Sequence, residues 1–153
     1  MLALFNFVYT FLSGPAGALS DRYGRKKSII VGWCLYALVY AGFAFSNQQL
    51  HFWILYGIYG AYYALTEGVL KALVADTVPS ELRGSAYGVF HFAVGIVTFP
   101  ASLLAGLLWQ GLGDWPGFGP AAPFLFGSIL AIVSVFLLQF WVPVVDPNTF
   151  KRL

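Results

Sequence analysis

Charge is what this sequence has least of. Asp, Glu, Lys and Arg together make up 9% of its 153 residues, where a soluble domain carries about a quarter. Eight basic and six acidic side chains cannot coat a composition that is 59% apolar. A water-soluble globule is therefore excluded, and so are a disordered tail and a collagen-like fibre. A net charge of +2 supplies no basic face, which excludes a nucleic-acid partner. The single cysteine, Cys34, rules out a disulfide framework or a multi-cysteine metal site and reads as a small hydrophobe on an apolar helix. No G-x-x-x-x-G-K-[ST] loop is present for ATP-driven pumping. Gly111-x-Gly113 imitates part of a nucleotide fingerprint, but no strand precedes it.

What the chain has in abundance is long apolar runs. Charges and turn residues divide it into five blocks, residues 2–19, 29–45, 52–75, 87–109 and 123–142, each 17 to 24 residues long. A helix needs about 20 residues to cross the hydrocarbon, and barrel strands would be shorter and strictly alternating. The pattern predicts an all-α membrane protein with five transmembrane helices. Five spans send alternate connections to opposite sides. One side then receives Arg22, Arg25, Lys26, Lys27, Arg83, Lys151 and Arg152, with Lys71 reaching it from a helix end, and the other receives no Lys or Arg. The positive-inside rule places the amino terminus outside and the carboxy terminus in the cytoplasm of a cell (inner or plasma) membrane. A cleavable signal would carry its cations before the apolar run, whereas here four follow it. Ser28 is expected to cap the second helix and Pro123 to sit in the first turn of the fifth. Pro15 and Pro100 each remove a backbone hydrogen bond, so both bends are expected to face protein.

Three blocks carry polar stripes at helical spacing: Asn6, Thr10, Ser13 and Gly17 in the first, and His91, Gly95, Thr98 and Ser102 in the fourth. In the third the stripe is Tyr56, Tyr59, Gly60, Tyr63, Glu67 and Lys71. Meeting near mid-bilayer depth, the three describe the lining of a polar cavity. Singly, each Ser or Thr reads more simply as a backbone-bonded or helix-gluing residue. The second and fifth blocks lack such a face and read as peripheral helices solvated by lipid. Glu67 is too deep to excuse as an anchor, since an ionised side chain at a helix centre costs about 2.5 to 3.5 kcal/mol. Two readings stand for it: proton coupling or substrate contact, with His91 at matching depth, and a structural i,i+4 pair with Lys71. Tyr63 is too deep for an interfacial belt, while Tyr56 fits one.

Between the first two blocks runs Gly17-Ala18-Leu19-Ser20-Asp21-Arg22-Tyr23-Gly24-Arg25-Lys26-Lys27. Gly17 allows close helix packing, Gly24 a tight turn, and Asp21 can meet the positive end of a neighbouring helix. Arg22, Arg25, Lys26 and Lys27 suit anionic headgroups. Gly-x-x-x-Asp-Arg-x-Gly-Arg-Lys-Lys resembles the motif A loop of the major facilitator superfamily. The stretches 64–69, 75–79 with Arg83-Gly84, and 100–106 are similar to further segments of bacterial members. The resemblance covers essentially the whole chain. It implies a partial half-bundle equivalent to the last five of twelve helices, two six-helix halves being the family pattern. It implies that the motif closes a cytoplasmic gate, with Asp21 meeting a helix end in the opposite half and Arg25 pairing with Asp76. It also implies a small-molecule substrate and a coupling proton as partners, beside the lipid bilayer and a missing amino-terminal half.

The expected function is thus part of a secondary active transporter that works by alternating access and is driven by protons. The alternative is a non-transporting membrane scaffold of transporter descent. An intramembrane enzyme is not supported, because Ser102 has no His near its depth and His91 lacks a second metal ligand. No cofactor or metal is called for. A chain of five spans is expected to be a fragment that transports nothing alone.

Overall fold

The computed structural model describes residues 1–141. The end of the fifth block at Val142 and the tail with Lys151 and Arg152 lie outside them. Five helices follow one another: α1 (Leu2–Tyr23), α2 (Arg25–Phe45), α3 (Gln49–Asp76), α4 (Arg83–Gln110, after a 3-10 turn at Ser80–Leu82) and α5 (Ala121–Trp141). α1, α2, α4 with its preceding turn, and α5 are each long and apolar enough to cross a membrane. α3 has the length, at 28 residues, but its four tyrosines, Glu67 and Lys71 make it less apolar. It carries them between α1 and α2, against which it packs.

The helices overrun the apolar blocks at the basic end. α1 continues through Asp21 and Arg22 to Tyr23, and α2 begins only two residues later, so Gly24 alone makes the joint. Its φ of 99° lies where a side chain would be strained. Ser28 therefore does not cap α2. It lies buried inside the helix, its hydroxyl donating to Gly24 O at 3.4 Å. Pro123 does fall in the first turn of α5.

α2 is the principal departure from the sequence reading. Far from peripheral, it lies between α3 and α5 and buries Ser28, Ile29, Gly32, Ala37, Val39 and Phe43. Small residues explain this. A methyl group on Gly32 would come within 2.3 Å of Thr66 Cγ2, and one on Gly42 within 2.7 Å of Leu55. In lipid no hydrophobic force drives helices together, so close approach and dispersion decide which surfaces meet. α5 docks by the same means: Gly127 faces Tyr40, and the buried Ser128 hydroxyl donates to Ala37 O at 2.8 Å. Ile29, Val69 and Leu138 form an apolar knot near the basic end, with Trp33, Leu70 and Leu73 around it. α4 buries no residue. Pro15 and Pro100 both lie exposed, Pro100 on a cleft that α4 shares with α2 and α5.

Candidate functional site: an ionic clasp and an intramembrane carboxylate

Arg25 is the first residue of α2, where a cation opposes the helix dipole. Acidic and polar partners on two other helices offset that. Its Nε donates to Asp76 Oδ2 at 3.2 Å, on the last residue of α3. Its Nη1 donates to Ser20 Oγ at 2.8 Å and pairs with Asp21. Ser20, 1% exposed, donates in turn to Gly17 O at 2.8 Å. One guanidinium thus ties the end of α1 and the end of α3 to the start of α2. Lys26 makes a further tie, donating to Gln139 O of α5 at 3.0 Å. Arg22 and Arg83 are exposed, Arg22 lying 5.7 Å over the Tyr23 ring. Gly17 has no neighbour within 4 Å of a Cβ position, so close helix packing is not its role in these helices.

The second cluster lies between α1 and α3, with the Glu67 and Lys71 side chains 37% and 43% exposed. Glu67 Oε1 pairs with Lys71 Nζ at 3.0 Å, one turn on. Its Oε2 accepts the Tyr9 hydroxyl of α1 at 2.9 Å. Tyr63 stands edge-on to both Phe5, at 5.1 Å, and Tyr9, at 6.0 Å. Tyr59 bridges α1 and α2, its ring tilted against Phe5 at 5.6 Å and against Tyr40 at 6.1 Å. Tyr56 meets Phe43 at 5.5 Å. A methyl on Gly60 would lie 2.7 Å from Phe5 O, so only glycine lets α1 and α3 approach this far.

The three polar stripes do not converge within these five helices. Asn6 and Thr10 are exposed, Asn6 bonding back to Leu2 O at 2.9 Å. Thr98 bonds back to Val94 O at 2.7 Å and, with Ser102, borders an apolar cleft of about 890 Å³ between α2, α4 and α5. His91 is exposed, its ring 5.2 Å from that of Phe90. α1 turns a different face to α3: Phe5, Tyr9, Ala16 and Ser20, spaced four, seven and four apart. Sequence reasoning missed Tyr9 and Ser20 because it followed the more polar Asn6 and Thr10. The same spacing rule applied to aromatics and small residues would have found them. It also passed over Tyr36 and Tyr40 of α2, whose rings stack 4.0 Å apart. No group of His, Cys, Asp and Glu able to hold a metal occurs among the described residues.

A stack of apolar helices with ion pairs at one end and around one carboxylate between α1 and α3 defines a multi-pass membrane protein. The family follows from comparison. The model of the Major Facilitator Superfamily matches residues 1–152, and the chain belongs to that family. It is 41% identical over 137 residues to an uncharacterized MFS-type transporter of Methanocaldococcus jannaschii, covering 90% of this chain and 33% of the relative. It is 28% identical over 148 residues to the tetracycline resistance protein, class B, of Escherichia coli (92% and 33%). Protein spinster homolog 1 of Mus musculus is 28% identical over 133 residues (85% and 25%). The chain thus spans a third or less of the length of these relatives. No solved structure matches it.

Proposed function

We propose that these helices are part of a secondary active transporter that moves a small solute by alternating access, coupled to protons. They sit in a cell membrane with the amino terminus outside and the carboxy terminus in the cytoplasm. The observation that carries this reading is the Arg25 clasp. It binds three helix ends on the face that holds the cations, where a gate between two halves must open and close. Asp21 is the most exposed member, 64% against 27% for Arg25 and for Asp76. It is thus free to meet a helix end of an opposing half. Arg22 and Arg83, both exposed, suit headgroups or that half. Asn6, Thr10 and His91, exposed on this bundle, are free to line with Glu67 a cavity that the other half completes, while Thr98 and Ser102 border the cleft between α2, α4 and α5. Tyr56, Tyr59 and Tyr63 stiffen the Glu67 side of that cavity. Its sparse charge suits a solute that is not strongly anionic. Glu67, held between a cation and a phenol, is the coupling group.

Cysteine accessibility in the complete gene product tests the reading. A cysteine at Thr98 in a Cys34→Ser background is labelled with an impermeant maleimide in sealed right-side-out vesicles. If the clasp holds the inner gate shut, Asp76→Asn lowers labelling from outside and raises it in inverted vesicles. Equal labelling of parent and variant in both vesicle types would overturn alternating access controlled by this clasp. Glu67→Gln is expected to abolish acceleration of transport by an imposed pH gradient while leaving downhill exchange intact; retained acceleration would remove Glu67 from coupling.

A further inference from the structure

The connection between α4 and α5 takes no part in either cluster, yet it is closely built. Gly111 N closes α4 on Leu107 O at 2.8 Å, and Phe118 N returns to Leu108 O at 2.9 Å. Leu112 and Trp115 exchange both backbone bonds, at 3.0 and 3.2 Å. Gly111, Gly113, Gly117 and Gly119 all have positive φ. Two of them are required by contact as well. A methyl on Gly111 would lie 1.7 Å from Trp115 O, and one on Gly117 2.6 Å from Gly111 N, because the two backbones cross there.

This ring holds an apolar surface outward. Leu112 is 75% exposed, Phe118 72% and Trp115 41%, and Trp115 and Phe118 stand edge to face at 5.3 Å. Trp109, one turn back on α4, is exposed too, its ring 6.5 Å from that of Phe124 on α5. Asp114 is the sole charge between Gln110 and Ala121. Both flanking helices are apolar enough to span, so the connection sits at the membrane–water boundary by construction. Trp is the side chain that boundary favours, having an apolar body and one polar N–H.

We propose that residues 111–119 are a preformed membrane anchor, seating Leu112, Trp115 and Phe118 in the headgroup–acyl boundary of the leaflet at the carboxy-terminal end of α4. The partner is the lipid surface itself, and with no cation in the loop the contact does not depend on anionic headgroups. A flexible loop would lose conformational entropy on inserting these side chains. The ring has already lost it. The anchor restrains α4, which has no buried residue to hold it in the bundle.

The test leaves Trp115 as the single tryptophan, with Trp33, Trp53, Trp109 and Trp141 changed to Phe, in liposomes of uncharged phosphatidylcholine. Lipids brominated near the glycerol end of the acyl chain should quench Trp115 more strongly than lipids brominated near the methyl end, and aqueous iodide should quench it weakly. Iodide quenching as efficient as for free tryptophan amide would overturn the proposal. So would resistance to both quenchers, the mark of a ring packed on protein or on a second copy. In the same background Gly111→Val opens the ring, so bromine quenching should fall and iodide quenching rise several-fold. Unchanged quenching there would overturn the preformed geometry, and the parent's depth profile decides the lipid contact independently of how the variant folds.

Discussion

α2 and α4 invert what their polarity suggests. α2 has no polar stripe and is the most deeply packed of the five helices, with six buried residues; α4 carries His91, Thr98 and Ser102 at helical spacing and buries none. In water a polar face marks the outside of a helix and an apolar face the inside. In a bilayer both helices have an apolar solvent available, and polarity loses that meaning. What separates them is relief. α2 offers Gly32 and Gly42 as notches for Thr66 and Leu55, whereas Gly88, Gly95 and Gly106 of α4 face open space among the described residues.

Filling a notch should have the largest effect. Gly32→Leu drives a side chain into Thr66 and is expected to cost about 1 to 3 kcal/mol or more, as overpacking of a close contact does. Gly95→Leu meets nothing and should be nearly neutral. Unfolding midpoints of the two variants in one detergent decide it, and equal shifts would show that notches do not order these helices. Asp76→Asn comes next. It removes a carboxylate from a half-buried guanidinium that keeps Asp21 and Ser20 as partners, so a loss of about 1 kcal/mol is expected. Arg83→Gln, at an exposed site, should change little, and high salt should shrink the difference between the two. The smallest effect is expected at single hydroxyls. Ser128→Ala deletes a bond between α5 and α2, worth about 0.6 kcal/mol, while Thr98→Ala deletes one within α4 and should be silent.

These contrasts also mark how far the sequence could be read. The helices of this membrane bundle, their order and the basic end follow from the spacing of Arg22 to Lys27, Asp76 and Arg83 between apolar runs. Gly24 announces itself too, as the one residue between two helices that tolerates a φ of 99°. The pairing of Tyr9 with Glu67 was not legible. It depends on Gly60 letting α1 approach α3 at one rotation, and a helix with two candidate faces does not declare which one a neighbour takes. Nor was the position of α2, because small residues mark a close contact without naming the partner.

Composition and the placement of cations alone determined that lipid is the solvent, since each charge left in hydrocarbon costs several times the thermal energy and segment lengths must match the bilayer. Tertiary structure alone decided that Arg25 clasps Asp21, Ser20 and Asp76 at once, that Glu67 takes its second partner from α1, and that the glycine ring after α4 turns its aromatics outward. Those outcomes depend on helix rotation and on fits of a few tenths of an ångström. Dispersion falls off steeply enough over that range to choose among faces that hydropathy ranks as equal.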